Sequence, residues 1–187
     1  VRRCLLALSP EEAQTKVLRE LFNVRFDGSG SLGGHSFGNL FLTALTKISE
    51  SEAEAIHKAG QLLRIRGQVL PVTLANRTLC AELSDGAIVR GETNIDIPKH
   101  DSSLRIRRIF LDQPAKAYPD VIKAIEEADL IVLGPGDLYT SVLPNLLVEG
   151  VPQAISNSGA VKVYVCNLMT KTGETTGFAA SDFLSEV

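Results

Sequence analysis

The sequence of 187 residues has no tryptophan, and aromatic residues make up only 5% of it. Proteins that bind single-stranded nucleic acids stack bases on such rings, and a nucleic-acid footprint also needs a basic face. The formal net charge here is -3, and acidic and basic residues are interspersed. We therefore expect no nucleic-acid partner.

Long apolar runs are also missing, since no segment approaches the ~20 apolar residues that cross a bilayer. No signal-peptide pattern is visible, so we expect no membrane partner. The three cysteines, Cys4, Cys80 and Cys166, are far apart and set among apolar residues. No pair has the spacing of metal ligands. We interpret them as buried, reduced thiols of a cytoplasmic protein.

Catalytic signatures are scarce. The sequence has no nucleophile elbow, no His/Cys cluster for zinc and no carboxylate pair in a mechanistic spacing. Hydrophobic residues make up 44% of the chain and charged residues 22%, which is typical of a globular protein. We predict a single, partial α/β domain over 1–187. Because the chain opens at Val1 inside a helical pattern, we expect a fragment of a longer protein.

Two apolar runs define the expected α/β core. Residues 130–133 and 163–166 each end abruptly in small, polar, turn-forming residues. Buried parallel strands have this pattern, and ligands of open α/β sheets bind at the carboxyl ends of the strands. The sequence therefore predicts a ligand-binding crevice.

Other segments predict helices and a hairpin. The residues from Ser9 to Glu12 indicate a helix start, and a capping box from Ser51 to Glu54 predicts another. Strand patterns at 69–74, 78–83 and 87–95 surround the turn 84–86, which indicates an antiparallel β-hairpin beside the main sheet.

A glycine-rich segment at 27–34 contains a formal G-x-G-x-x-G match. No βαβ unit follows it, so we reject a dinucleotide fingerprint and interpret the segment as a flexible loop. Next to it, residues 33–39 sit at a predicted helix start. His35 and Asn39 are four apart and can share one helix face. Anion binding at this helix start and a simple helix cap both remain open.

The segment Gly134–Ser141 lies between a predicted strand and a predicted helix. Its glycines would let a phosphate approach the backbone, and hydroxyl groups at the helix start add donors. It lacks the lysine of a P-loop. Asp137 could hold a metal or accept a hydrogen bond from a sugar hydroxyl. The alternative is a tight turn capped by Ser141. Residues 167–175 are dense in hydrogen-bonding groups, which suits a polyhydroxylated or phosphorylated ligand or a solvated loop.

Together and in this order, these motifs resemble the bacterial gluconeogenesis-factor (CofD-like) family, which is related to the 2-phospho-L-lactate transferases of deazaflavin coenzyme synthesis. The matching strings are RCLLALS (3–9), GHSFGNL (34–40), GPGDLYTS (134–141), PNLL (144–147), VCNLMT (165–170) and GET (173–175). The resemblance covers essentially the whole chain. It implies a Rossmann-like three-layer α/β sandwich with a mainly parallel sheet and an antiparallel hairpin excursion.

The family's opening strand, glycine-rich loop and acidic segment precede the part that this chain matches. The resemblance also implies a serine where this chain has Asp137. An ionised carboxylate only accepts hydrogen bonds, which changes what this position can bind.

The resemblance implies a nucleotide-type ligand, expected to be a UDP-sugar such as UDP-N-acetylglucosamine, and a regulatory role in carbon metabolism and cell shape. The glycine turn and the helix start after it would bind phosphate, and the remaining polar groups would hold the sugar or base. The expected ligand-binding residues are His35, Gly38, Asn39, Gly134, Gly136, Asp137, Thr140, Ser141, Asn167, Thr170, Glu174 and Thr175.

Two alternatives stay open. The first is a phospholactyl transferase that acts on a deazaflavin alcohol, with Mg²⁺ held by Asp137 or Glu174 together with the family's acidic segment. The second is a structural or partner-binding domain, which would leave the polar clustering at two strand ends unexplained. Family oligomers imply a homodimer. No catalytic residue follows from the sequence.

Overall fold

The computed structural model describes residues 1–27, 30, 32–99 and 101–187, and of residues 13 and 14 the backbone alone. Parts of the predicted glycine loop at 27–34 lie outside the described residues. Contacts divide the chain into two compact units, Val1–Leu74 and Ala75–Val187. The single domain over 1–187 stays a prediction.

The first unit is helical in its described part. Its core contains Leu5, Phe22 and Leu63, each with 0% of its surface exposed. The ring of Phe22 packs against two further phenylalanine rings at centroid distances of 6.2 and 5.1 Å. The helices are α1 (Arg2–Leu8), α2 (Ala13–Asn23), α3 (Phe37–Lys47) and α4 (Glu52–Leu62).

Serine side chains act at several helix ends in this unit. Oγ of Ser51 accepts a hydrogen bond from the N–H of Glu54 at 3.1 Å, which confirms the predicted start of α4. The start predicted at Ser9 is wrong, because α2 begins at Ala13. The Ser9 hydroxyl instead donates to the carbonyl oxygen of Leu63 at 2.9 Å, which satisfies a polar group that is only 4% exposed.

The second unit contains an antiparallel sheet of β1 (Leu79–Leu83), β2 (Ile88–Arg90) and β3 (Ile106–Leu111), in the order β2-β1-β3. The predicted hairpin of β1 and β2 is confirmed. The strand predicted at 87–95 stops early, because Gly91, with φ +89°, precedes helix α5 (Glu92–Asp96). The strand predicted over 69–74 is wrong, since that segment has no strand.

A parallel sheet of β4 (Leu130–Leu133) and β5 (Val161–Tyr164) forms the rest of the strand structure described in this unit. The predicted α/β class, with parallel strands and an antiparallel hairpin, is therefore confirmed. The helical elements around this sheet are α6 (Pro119–Glu126), a π-helix (Leu138–Val142), α7 (Leu143–Leu146), α8 (Val151–Asn157) and α9 (Ala180–Glu186).

One face of the β4–β5 sheet is open. The register partners Leu130 and Val161 are 55% and 65% exposed, and the next pair, Val132 and Val163, are 48% and 41% exposed. The prediction that both apolar runs form buried strands is therefore wrong for this face. The reason is that no described element of the second unit covers it, although parallel sheets are normally covered on both sides.

The cysteines divide by burial. Cys80 is buried in β1, Cys166 is half-buried, and all three are free thiols. The prediction of buried thiols is wrong for Cys4, which is exposed on α1. None of the helices that the structure describes has the length and apolar character needed to cross a membrane.

Candidate functional site

The two parallel strands end at the same edge of their sheet, since Leu133 at the end of β4 lies beside Tyr164 at the end of β5. Gly134 follows β4 with φ +89°, and a Cβ atom there would lie 3.0 Å from the carbonyl oxygen of Val165. Only glycine accepts both this conformation and this close approach. The turn after β4 therefore lies directly against the chain that leaves β5.

The turn continues into the π-helix. The N–H groups of Ser141 and Val142 donate to the carbonyl oxygen of Asp137 at 2.9 and 3.0 Å. A Cβ atom on Gly136 would lie 3.0 Å from Cβ of Ser141. The backbone of the turn is thus folded tightly against the π-helix.

An ammonium group joins the two strand ends. Nζ of Lys171, which follows β5, lies 2.9 Å from Oδ2 of Asp137 and 2.8 Å from Oε1 of Glu174. The same Nζ donates to Oδ1 of Asp96 at the end of α5. The three carboxylates offer oxygen atoms that lie within 4.8 Å of one another. We call these four residues the Lys171 cluster.

Burial differs sharply within the Lys171 cluster. The side chain of Glu174 is 1% exposed, whereas those of Lys171, Asp96 and Asp137 are 32%, 38% and 42% exposed. The Lys171–Glu174 contact brings the charges together without a directed hydrogen bond, since neither oxygen of Glu174 accepts one from the described residues. One carboxylate of the cluster, that of Glu174, is therefore buried inside the unit, and those of Asp96 and Asp137 are accessible to solvent.

The environment shifts two pKa values in the cluster. Burial raises the pKa of the Glu174 carboxyl above its ordinary value, although the ion pair with Lys171 acts in the opposite direction. Burial alone would lower the pKa of Lys171, but the three carboxylates prevail and raise it above its ordinary value. Lys171 is therefore a cation at neutral pH.

The loop that carries Lys171 and Glu174 is ordered by its own polar groups. The hydroxyl oxygen of Thr175 accepts a hydrogen bond from the backbone N–H of Lys171 at 2.9 Å, and Thr175 is 2% exposed. Gly173 has φ +81°, and a Cβ atom there would collide with Pro98. Glu174 and Thr175 thus lie inside the unit, and their ligand-binding role stays a prediction.

The other expected site residues of this unit differ in how far they are exposed to solvent. Thr140 is 7% exposed within the π-helix, whereas Ser141 and Thr170 are exposed. Asn167 is half-buried, and its Oδ1 atom is buried without a hydrogen-bond partner among the described residues. Nine of the twelve expected site residues belong to this unit, and their ligand-binding roles stay predictions.

Three expected residues belong to the first unit. His35 is exposed and precedes Ser36, the N-cap of α3, so the prediction that it shares a helix face with Asn39 is wrong. Asn39 is exposed in the first turn of α3. Gly38 is buried, and a Cβ atom there would lie 2.9 Å from the carbonyl oxygen of Phe22. Its close approach serves helix packing within the unit.

Sequence reasoning missed Lys171 and Asp96. Lys171 stands inside the polar segment 167–175, and its spacing of three residues from Glu174 was a usable signal. Asp96 carried no such signal, because it follows a segment with a strand pattern and meets Lys171 across 75 residues of sequence.

Comparison with known proteins places these observations in a family. A family model described as 2-phospho-L-lactate transferase CofD matches residues 1–187. A protein named gluconeogenesis factor from Halalkalibacterium halodurans is 46% identical over 188 residues, which cover 100% of this chain and 56% of that protein. Another of the same name, from Listeria innocua, is 43% identical and is covered over 56% of its length.

A solved structure agrees with the fold. A crystal structure of a Bacillus halodurans protein, described as a member of the UPF0052 family, superposes with a TM-score of 0.90 at 45% identity. The match covers 99% of this chain and 58% of the crystallised one. The chain spans just over half, 56%, of the length of each of the two gluconeogenesis factors named above.

Proposed function

The chain belongs to the 2-phospho-L-lactate transferase CofD family, and from that premise we propose that it binds a nucleotide sugar. The proposed ligand is a UDP-sugar such as UDP-N-acetylglucosamine, and the proposed role is regulation of carbon metabolism and cell shape in the cytoplasm. The relatives named gluconeogenesis factor support the regulatory role. A homodimer remains part of the proposal.

The observation that carries the proposal is the meeting of two polar loops at one edge of a parallel sheet. Gly134 after β4 lies so near Val165 after β5 that a Cβ atom on it would be 3.0 Å from the Val165 carbonyl oxygen. Lys171 joins the second loop to Asp137 in the first. Ligands of open α/β sheets bind in crevices outside the carboxyl ends of the strands. Backbone N–H groups of a glycine turn suit phosphate oxygens.

The charge of the Lys171 cluster indicates which parts of the proposed ligand bind to the cluster and which bind to the glycine turn. One ammonium faces three carboxylates, so ionised carboxylates leave an excess of negative charge that repels phosphate. Half-exposed carboxylates accept hydrogen bonds from hydroxyl groups. We therefore assign sugar or ribose hydroxyls to Asp96 and Asp137, and phosphates to the glycine turn.

Asn167 supports the same arrangement. Its Oδ1 atom is a buried acceptor without a partner among the described residues, and an unsatisfied buried acceptor costs about 1–3 kcal/mol. A hydroxyl or amide donor of the ligand would satisfy it. The exposed hydroxyls of Thr170 and Ser141 provide further hydrogen-bonding groups, and on this proposal His35 and Asn39 also contribute.

Calorimetric titration of the protein with UDP-N-acetylglucosamine, NAD and a deazaflavin alcohol tests the proposal. Binding of the UDP-sugar alone is the expected result. Gly136→Val should weaken it by about tenfold or more, since the first added carbon already meets Ser141 at 3.0 Å. Gly159→Val is the matched control, because a Cβ atom there meets nothing within 4 Å in the part of the chain that the structure describes.

A second pair of variants examines the first unit. Asn39→Ala should also weaken UDP-sugar binding, whereas Thr43→Ala, which changes another exposed residue of α3, should not. Unchanged affinity in both Gly136→Val and Asn39→Ala would refute the assignment of the site.

The description of the family model supports one alternative function, transfer of a phospholactyl group to a deazaflavin alcohol. Preferential binding of the deazaflavin alcohol, followed by formation of the phospholactyl product in the presence of Mg²⁺, would support this function. Absence of product under those conditions would exclude it.

A further inference from the structure

We propose that Lys171 is the resident cation of this site, so that nucleotide-sugar binding needs no divalent metal ion. The proposal follows from the position of its ammonium group, which contacts Asp96, Asp137 and Glu174. It rests on the proposed function for the choice of ligand. The statement about metal binding stands on the cluster alone.

The residues fit Mg²⁺ in one respect and oppose it in another. Three carboxylates with oxygens within 4.8 Å of one another are the ligand type that hard divalent cations prefer. The ammonium already lies 2.8 Å from Oε1 of Glu174 and 2.9 Å from Oδ2 of Asp137. A divalent ion bound to the same oxygens would stand beside this positive charge, and the repulsion would be strong. The cluster with Lys171 therefore does not fit a divalent ion.

The ammonium is a fixed part of the protein. Its loop is tied down by the hydrogen bond from the backbone N–H of Lys171 to Thr175 and by the packing of Gly173 against Pro98. The three carboxylates raise the pKa of Lys171, which keeps it charged over the physiological range. The counter-charge to the buried Glu174 carboxylate thus comes from the chain itself.

Removal of the ammonium should convert the cluster into a metal site. Lys171→Met keeps an unbranched side chain that is one atom shorter, and it removes the ammonium that faces the three carboxylates. Mn²⁺ binding, measured by electron paramagnetic resonance, should then be at least about tenfold tighter than in the unmodified protein, because the positive charge that repels the ion is gone and the three carboxylates remain. Lys162→Met is the control, since Lys162 lies on β5 and its Nζ donates to the carbonyl oxygen of Ser158.

Thermal unfolding gives a second readout. Mn²⁺ should raise the Tm of Lys171→Met and leave the Tm of the unmodified protein and of Lys162→Met unchanged, because an ion stabilises only a folded state that binds it. Lys171→Arg, which keeps the positive charge, should behave like the unmodified protein.

The unmodified protein alone also tests the proposal, whether or not Lys171→Met folds. Its affinity for UDP-N-acetylglucosamine should be equal in EDTA and in Mg²⁺ within about twofold. Loss of affinity in EDTA, or Mn²⁺ binding by the unmodified protein as tight as by Lys171→Met, would overturn the proposal. Absence of UDP-sugar binding under every condition would instead refute the proposed function, and the Mn²⁺ titrations would still decide the role of Lys171.

Discussion

Nζ of Lys171 lies 2.9 Å from Oδ2 of Asp137, which ties the loop after β5 to the turn after β4. The two side chains are 32% and 42% exposed, so solvent screens their attraction, and exposed ion pairs contribute about 1 kcal/mol or less to stability. The importance of the pair lies in the position that it gives to the Asp137 carboxylate.

Asp137→Asn should therefore affect binding more than stability. The free energy of unfolding should fall by about 1 kcal/mol or less, because Lys171 keeps two other carboxylate partners. The affinity for UDP-N-acetylglucosamine should fall by about tenfold as a charged acceptor of a sugar hydroxyl is lost. Urea unfolding and calorimetric titration measure the two effects. A large loss of stability with unchanged affinity would contradict the assigned role.

Gly38→Ala should destabilise the first unit. In most helices this change stabilises by about 1 kcal/mol. Here the new Cβ atom would lie 2.8 Å from Cδ of Arg2 and 2.9 Å from the carbonyl oxygen of Phe22, and such overpacking costs about 1–3 kcal/mol. Urea unfolding gives the sign of the effect. Gly30→Ala is the control, since a Cβ atom at Gly30 meets no atom of the described residues within 4 Å.

Glu174→Gln should gain stability relative to the unmodified protein as the pH rises. Burial raises the pKa of Glu174 above its ordinary value of 4.5, so the folded state binds a proton that the unfolded state releases. Its contribution is complete below that value and is lost as the pH rises through the folded pKa. Glutamine carries no charge at any pH. Urea unfolding at about pH 4 and about pH 7 measures the difference.

The control for this prediction is Glu127→Gln. Glu127 is at the end of α6, and 67% of its side chain is exposed, against 1% for Glu174. The prediction is contradicted if the free energy of unfolding of Glu174→Gln differs from that of the unmodified protein by the same amount at both pH values. Burial would then not control the protonation of Glu174.

Val161→Lys should reduce the fluorescence of an apolar dye bound to the protein. Val161 is 65% exposed on a face that it shares with Leu130, Val132 and Val163, and contiguous apolar surface binds such dyes. Val17→Lys is the control, because Val17 is also 63% exposed but belongs to α2 rather than to this sheet. Equal dye binding by both variants would show that the sheet face is not the dye site.

The sequence alone predicts the structure correctly where that structure depends on neighbouring residues. The turn of the β1–β2 hairpin follows from Asp85, whose Oδ1 accepts a hydrogen bond from the N–H of Ala87, and from Gly86, with φ +89°. The start of α4 follows from Ser51 and Glu54. Glycine turns and helix caps are local, so composition and spacing predict them.

Sequence patterns fail to predict the structure where it depends on contacts between residues far apart in the chain. Asp96 enters the Lys171 cluster across 75 residues, and no local pattern records that contact. Ser9 has the composition of a helix start, yet its hydroxyl donates to Leu63, far along the chain. The apolar run at 130–133 predicted strand β4 correctly, but the exposure of Leu130 depends on which elements pack on the sheet.

The order of the cluster along the chain has a consequence for its synthesis. Asp96 and Asp137 precede Lys171 by 75 and 34 residues. At about 5–20 residues per second, the ribosome makes the Asp96 carboxylate roughly 4–15 s before its ammonium partner. Until Lys171 is made, the growing chain carries these carboxylates without their counter-charge. The segment that follows β5 therefore completes the charge balance of the Lys171 cluster, since it is made after both carboxylates.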